Sequence, residues 1–170
     1  MSIRNGSGLE GKIGLAFVVF YHGLEIEHAK FKLEKYNSVY QAELIAIQKT
    51  LEWLIINLNE SHIITIHSDC MSVLQALSDP EQQNLNIQTI KKLVIQLEVR
   101  HQLNFYWVKA HIGCLGNERA DVLAKEATMS NGIETVDVQA SRRRCINIMK
   151  CDIVDKWRTN GKTLLKIICS

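Results

Sequence analysis

The sequence predicts a mixed α/β fold: a five-stranded sheet, three antiparallel strands followed by two parallel ones, with helices on both faces. Three observations predict it. Short apolar runs bounded by turn residues alternate with longer runs of helical character. The early strand-like segments follow one another through tight turns, whereas the later ones are separated by helices. The first helical run, from Ser38 to about Asn59, is apolar nearly all round, as expected of a helix packed on a sheet.

Residues 1–4 form the end of a first strand, and Gly6, Gly8, Gly11 and Gly14 then make a flexible connection. Residues 12–21 and 24–33 pair around His22-Gly23, a tight hairpin. In the second of these, Leu24, Ile26, His28, Lys30 and Lys32 share one side, but charges occur on both, so its facing stays open. Asn37-Ser38 with Gln41 three residues past Ser38 resembles a capping box and starts the long helix. Residues 63–68 make a short buried strand, and residues 70–78 a short helix that ends before Asp79-Pro80, the only proline. Ile87, Ile90, Val94 and Leu97 recur at helical spacing. Residues 103–108 make the last strand, with Phe105, Tyr106 and Trp107 read as core and strand residues, and residues 116–129 the last helix.

Past Gly132 the pattern breaks. Ile146, Met149, Ile153 and Trp157 then mark an amphipathic helix behind Arg142-Arg143-Arg144. Two parts follow: an α/β domain over residues 1–130, and a basic extension over 131–170 that is helical at about 142–158. Charge divides the same way. Residues 1–140 hold 12 Lys/Arg against 16 Asp/Glu, whereas residues 141–170 hold 8 against 2. Such a tail seeks a polyanion or is simply a solvated basic helix, and both readings stay open.

No apolar run reaches the roughly 20 residues of a membrane span, and the first residues have no signal-peptide profile. Five cysteines (Cys70, Cys114, Cys145, Cys151, Cys169) are odd in number and lack C-x-x-C spacing, which favours reduced thiols and an intracellular location. A monomer is expected.

Three acidic residues sit in settings suited to metal chemistry. Glu43 lies inside the apolar helical run 42–47, Asp69 closes the apolar strand 63–68, and Asp121 opens a helix after WVKAHIGCLGNERA. Carboxylates in apolar surroundings are costly unless paired or metal-bound. Each has an ordinary alternative: a surface-facing helical Glu43, Asp69 as a turn or cap residue, and Asp121 as a charge placed by the helix dipole. A fourth setting of the same kind reads Arg4-Asn5-Gly6-Ser7, with an amide where an acid would fit; no Asp precedes Asp69.

The ordered set Asn5-Gly6-Ser7, Gln41-Ala42-Glu43-Leu44, Ser68-Asp69-Cys70 and Trp107-Val108-Lys109-Ala110-His111 through Gly116-Asn117-Glu118-Arg119-Ala120-Asp121 resembles a type-one ribonuclease H domain. It is similar in style to those in the polyproteins of non-LTR retrotransposons. The resemblance covers about residues 1–130. It implies a ribonuclease H-like fold and hydrolysis of the RNA strand of an RNA–DNA hybrid with two Mg²⁺ ions, Mn²⁺ being a possible substitute. By matching position, Glu43 and Asp69 would ligate one ion and Asp121 the other, with position 5 bridging both. His111 matches a mobile histidine that assists proton transfer or product release. Gly6, Ser7, Ser38, Gln41 and Cys70 become candidate nucleic-acid contacts, although the family usually has Ser at the last of these positions. An upstream reverse-transcriptase domain is the implied partner. Asn5 departs from the pattern at the bridging position, and little or no hydrolysis is expected. The alternatives are a nucleic-acid-binding module that keeps the fold without the chemistry, or a tether acting through the helix at 146–157.

Overall fold

The computed structural model describes residues 1–7, 13–109, 115–139, 145–147 and 149–158, with residues 2–7 and Leu115 described by their backbone. The chain divides into two compact units, Met1–Asp137 and Val138–Ser170. In the second, residues 145–147 and 149–158 are helical, and Ile146, Met149, Ile153 and Trp157 are all exposed.

The first unit runs β1 (Ser2–Ser7), β2 (Ile13–Tyr21), β3 (Leu24–Leu33), α1 (Val39–Asn57), β4 (Ile63–Ser68), α2 (Met71–Ser78), α3 (Leu85–Glu98), β5 (Gln102–Trp107), α4 (Leu115–Met129) and β6 (Thr135–Val136). The sheet order is β5-β4-β1-β2-β3-β6. β2 is antiparallel to both β1 and β3, while β4 is parallel to both β1 and β5. This is the expected mixed sheet. It carries one strand more than the five expected, because β6 pairs in parallel with Lys32 and Leu33. Two residues carry no readable alternation, so nothing local announces that strand.

Local chemistry explains the element ends. The Ser38 Oγ accepts from the Gln41 amide at 3.2 Å and Gln41 Oε1 accepts from the Ser38 amide at 3.0 Å, the reciprocal capping box that starts α1. Asn84 caps α3 by accepting from the amides of Asn86 and Ile87. The β2–β3 hairpin turns through His22 and Gly23 at φ 49° and 81°, the positive-φ pair its two-residue loop requires.

Two of the glycines differ from the flexible connection expected of them. Gly6 is inside β1, opposite Ala16, and Gly14 is inside β2, opposite Lys32. At Gly14 the reason is steric. A Cβ there would stand 2.0 Å from the backbone oxygen of Ala124, so α4 rests directly on the strand. The first strand also extends to Ser7 rather than ending at residue 4.

The sheet separates two apolar layers. On one face Phe17, Val19, Ile64 and Ile66 pack with Leu44, Ile47, Leu51 and Leu54 of α1, Val73 of α2, and Ile87, Ile90 and Leu97 of α3. On the other, Ala16 and Val18 meet Ala120, Leu123 and Ala124 of α4. β3 resolves its facing accordingly: Ala29 and Phe31 join the first layer, while Lys30 reaches across to Glu126 of α4 at 3.1 Å. At the amino ends of β4 and β5, the His62 amide donates to His101 Nδ1 at 3.3 Å and the two imidazoles stack with centroids 6.2 Å apart. Burial, then the neighbouring His62 and Arg100, hold the His101 pKa below its ordinary value.

Candidate active site

β1, β4 and β5 run parallel, so their carboxyl ends lie along one edge of the sheet. The register sets Arg4 beside His67 and Ser68 beside Trp107, so Asn5 and Asp69 come next in their strands at that edge. Open α/β sheets present their binding crevices at such carboxyl ends.

Asp69 occupies a turn fixed by its own backbone. Its carbonyl oxygen accepts from the Trp107 indole Nε1 at 3.0 Å and from the Met71 amide at 3.1 Å, and Ser68 Oγ accepts from the Cys70 amide at 3.1 Å. The half-buried side chain of Asp69 projects toward α4, where Asn117 Nδ2 lies 3.5 Å from Oδ2. Asn117 and Asp121 are four residues apart on α4 and therefore share one helix face. Asp121 is half-buried. The amino end of α4 is held to β3 by Arg119, whose Nε and Nη2 lie 3.2 and 3.4 Å from the two carboxylate oxygens of Glu25; His28 lies 3.0 Å from the same carboxylate.

Glu43 lies on α1, the helix on the other face of the sheet. It is 3% exposed, between Ala42 and Leu44, both wholly buried in α1. The helix packs over β1 and β2. Three residues earlier, the Tyr40 phenol has its pKa raised by burial, with a smaller push from Cys70. Tyr40 and Cys70 both pack against the larger apolar layer.

The remaining expected site residues fall as follows. Gly6 and Ser7 are in β1, and Ser38 and Gln41 are engaged with each other in the helix cap. Cys70 precedes α2 with its Sγ 3.3 Å from Ser72 Oγ. His111 lies outside the described residues. Tyr106 and Trp107 are not core residues: they are 54% and 46% exposed, because β5 is an edge strand and α4 packs on β1, β2 and β3. Two residues sharpen the site beyond those expected from the sequence, Trp107 through its bond to the Asp69 carbonyl and Asn117 through its amide. The spacing of Asn117 one turn before Asp121 was the available signal for the second.

The donors here are carboxylate and carboxamide oxygens, the chemistry hard divalent cations select. Among the described residues, no three His, Cys, Asp or Glu side chains form a group able to hold a metal ion. Amide oxygens and water would complete a coordination shell, which suits Mg²⁺, a cation that usually keeps several of its waters. One described amide invites such a partner. Asn117 is 3% exposed and its Oδ1 has no hydrogen-bond partner among the described residues, a state that costs on the order of 1–3 kcal/mol for a buried polar group.

A mixed sheet with helices on both faces, and with Asn5 and Asp69 toward the carboxyl ends of adjacent parallel strands, defines an α/β protein with a polar candidate site at that end of the sheet. The RNase H family model matches residues 3–129, and the chain belongs to that family. A ribonuclease H of Campylobacter jejuni is 28% identical over 126 residues, spanning 68% of this chain and 80% of the relative. Among solved structures, the N-terminal RNase H domain of a Mycobacterium tuberculosis protein superposes with a TM-score of 0.59 at 18% identity, covering 75% of this chain and 92% of that one. LC11-RNase H1 in complex with an RNA/DNA hybrid gives a TM-score of 0.58 at 16% identity, covering 75% and 96%. These two establish likeness of fold.

Proposed function

We propose that the chain binds RNA–DNA hybrids and hydrolyses their RNA strand at the carboxyl edge of β1 and β4, with activity weakened by Asn5. Membership of the RNase H family across residues 3–129 is the observation that carries the reading. The hybrid held by LC11-RNase H1, a protein of the same fold, supports the substrate class.

In this reading Glu43 and Asp69 would hold one divalent cation and Asp121 a second, with position 5 serving both. When bound, such ions supply positive charge that stabilises an in-line displacement at phosphorus. Glu43, buried in α1, keeps a fixed carboxylate against the site, and the turn anchored by Trp107 aims Asp69. Asn5 offers one neutral oxygen where a carboxylate would offer two charged ones. His111 moves a proton at the reacting phosphate. Recognition of the hybrid uses backbone shape and 2′-hydroxyls, with Gly6, Ser7, Ser38, Gln41 and Cys70 as contacts and the basic residues of 141–170 adding salt-sensitive affinity. A retrotransposon polyprotein with an upstream reverse transcriptase, and an intracellular setting, extend the reading from the sequence pattern alone.

The test is Mg²⁺-dependent cleavage of a labelled RNA–DNA hybrid by this chain and by Asn5→Asp, with intact mass checked against deamidation of Asn5-Gly6. Restoring the carboxylate is expected to raise the rate about a hundredfold or more, since metal-site charge is worth several kcal/mol. Robust cutting by the unmodified chain would overturn the weakened-site part. A second reading, a binding module without chemistry, is favoured by Asn5 itself; hybrid binding with no cutting by Asn5→Asp in Mg²⁺ or Mn²⁺ would select it.

A further inference from the structure

Asn117 has a buried acceptor that the reaction outlined above does not use. Its Nδ2 faces Asp69 Oδ2 at 3.5 Å, and its Oδ1 has no hydrogen-bond partner among the described residues. The orientation of the amide follows from the carboxylate: turning it over would set oxygen against oxygen. Buried polar atoms are nearly always satisfied by protein or ordered water, so this oxygen points to a partner supplied by the occupied site. Its position is not adjustable. Asn117 is 3% exposed, Gly116 before it and Ala120 after it are buried, and the Arg119–Glu25 contact fixes the same turn of α4 to β3.

We propose that Asn117 is a positioning residue for a hydrated divalent cation: Nδ2 holds the Asp69 carboxylate in place while Oδ1 accepts a hydrogen bond from a water of the cation. A direct contact with the ion is not required, because Mg²⁺ keeps several waters in protein sites. Groups that orient metal ligands in this way typically change metal affinity or activity by 10–100-fold when removed, as an order of magnitude. The inference rests on the functional reading only in taking this edge of the sheet to bind a divalent cation. A 2′-hydroxyl of the nucleic acid is the rival donor for Oδ1.

The experiment titrates Mg²⁺ into the full chain without nucleic acid, by calorimetry and by ¹H–¹⁵N spectra that follow the side-chain amide of Asn117. Asn117→Ala is expected to weaken Mg²⁺ binding about tenfold, and Asn117→Ser, which keeps a hydroxyl able to serve one of the two contacts, to fall between. In the Asn5→Asp background, Asn117→Ala should lower kcat about tenfold and raise the Mg²⁺ concentration for half-maximal rate, leaving KM for the hybrid unchanged. Unchanged Mg²⁺ affinity in both variants overturns the proposal, as does a parent chain that binds no Mg²⁺. Loss of hybrid affinity alone assigns Oδ1 to the nucleic acid and overturns it too. If Asn5→Asp cuts no hybrid while Asn117→Ala still weakens Mg²⁺ binding, the hydrolytic reading fails and the cation proposal stands.

Discussion

The two faces of the sheet are built by opposite means. The α1/α3 face is filled by large side chains, among them Phe17, Leu51, Ile64, Ile66 and Ile87. The α4 face is made from small ones, Ala16, Ala120 and Ala124 beside Val18 and Leu123, with Gly14 letting the helix backbone touch the strand. A thick layer is stabilised by buried apolar area. A thin layer depends on close approach, and here charged contacts at its margin, Lys30 with Glu126 and Arg119 with Glu25, add to it. The difference matters for the proposed site because its candidate acids are divided between the layers, Glu43 on α1 and Asp121 on α4.

Opposite substitutions should therefore break the two faces. Leu51→Ala in the thick layer leaves a cavity where a wholly buried side chain stood, and a loss of about 2–5 kcal/mol in urea unfolding is expected. In the thin layer the damaging change is an addition. Gly14→Ala brings a methyl within 2.0 Å of Ala124 O and 2.9 Å of Thr128 Cγ2, and about 1–3 kcal/mol should be lost as α4 is displaced. If Gly14→Ala were neutral, the thin face would be looser than described.

A smaller effect appears in acid at the amino end of β4 and β5. Burial, then His62 and Arg100, lower the pKa of His101, so the unfolded chain takes up its proton at higher pH than the folded one. The associated stability is complete above the unfolded pKa, about 6.5, and is lost as pH falls through the lower folded value. Melting temperatures across this range should depend less on pH in His101→Asn, which keeps an acceptor for the His62 amide without titrating. A pH dependence identical in both proteins would remove His101 from the account. Least of all, Arg119→Ala should cost about 0.2–1 kcal/mol, since the pair with Glu25 is partly exposed. A loss matching that of Leu51→Ala would show the thin face to be held by charge rather than by contact.

Much of this was legible in the sequence where one residue type has one job. Ser38 and Gln41 declared the start of α1, and the apolar runs at 63–68 and 103–108 declared the parallel strands to within one residue. What escaped depended on partners far along the chain. Gly14 reads as a flexible joint until α4 is seen lying on it, and Thr135-Val136 becomes a strand only because Lys32 and Leu33 offer an edge. Tyr106 and Trp107 read as core because aromatic residues in a strand usually are, but an edge strand beyond the reach of α4 leaves them exposed. The candidate acids stood out in the sequence by type and order, and their meeting in one site belongs to the proposal. The amide of Asn117 was visible only as one letter in a motif, because its role is set by its distance to Asp69.

The indole of Trp107 makes the site observable by light. Of the three tryptophans, Trp53 packs against Phe17 in the core and Trp157 is 82% exposed on the tail helix, while Trp107 alone bonds to the carbonyl of Asp69. In a Trp157→Phe background, with Trp53 as a constant core contribution, a change in emission on adding Mg²⁺ or hybrid is the expected label-free sign of occupancy, needing neither turnover nor dye. A chain expected to cut slowly thus carries its own means of reporting what it binds.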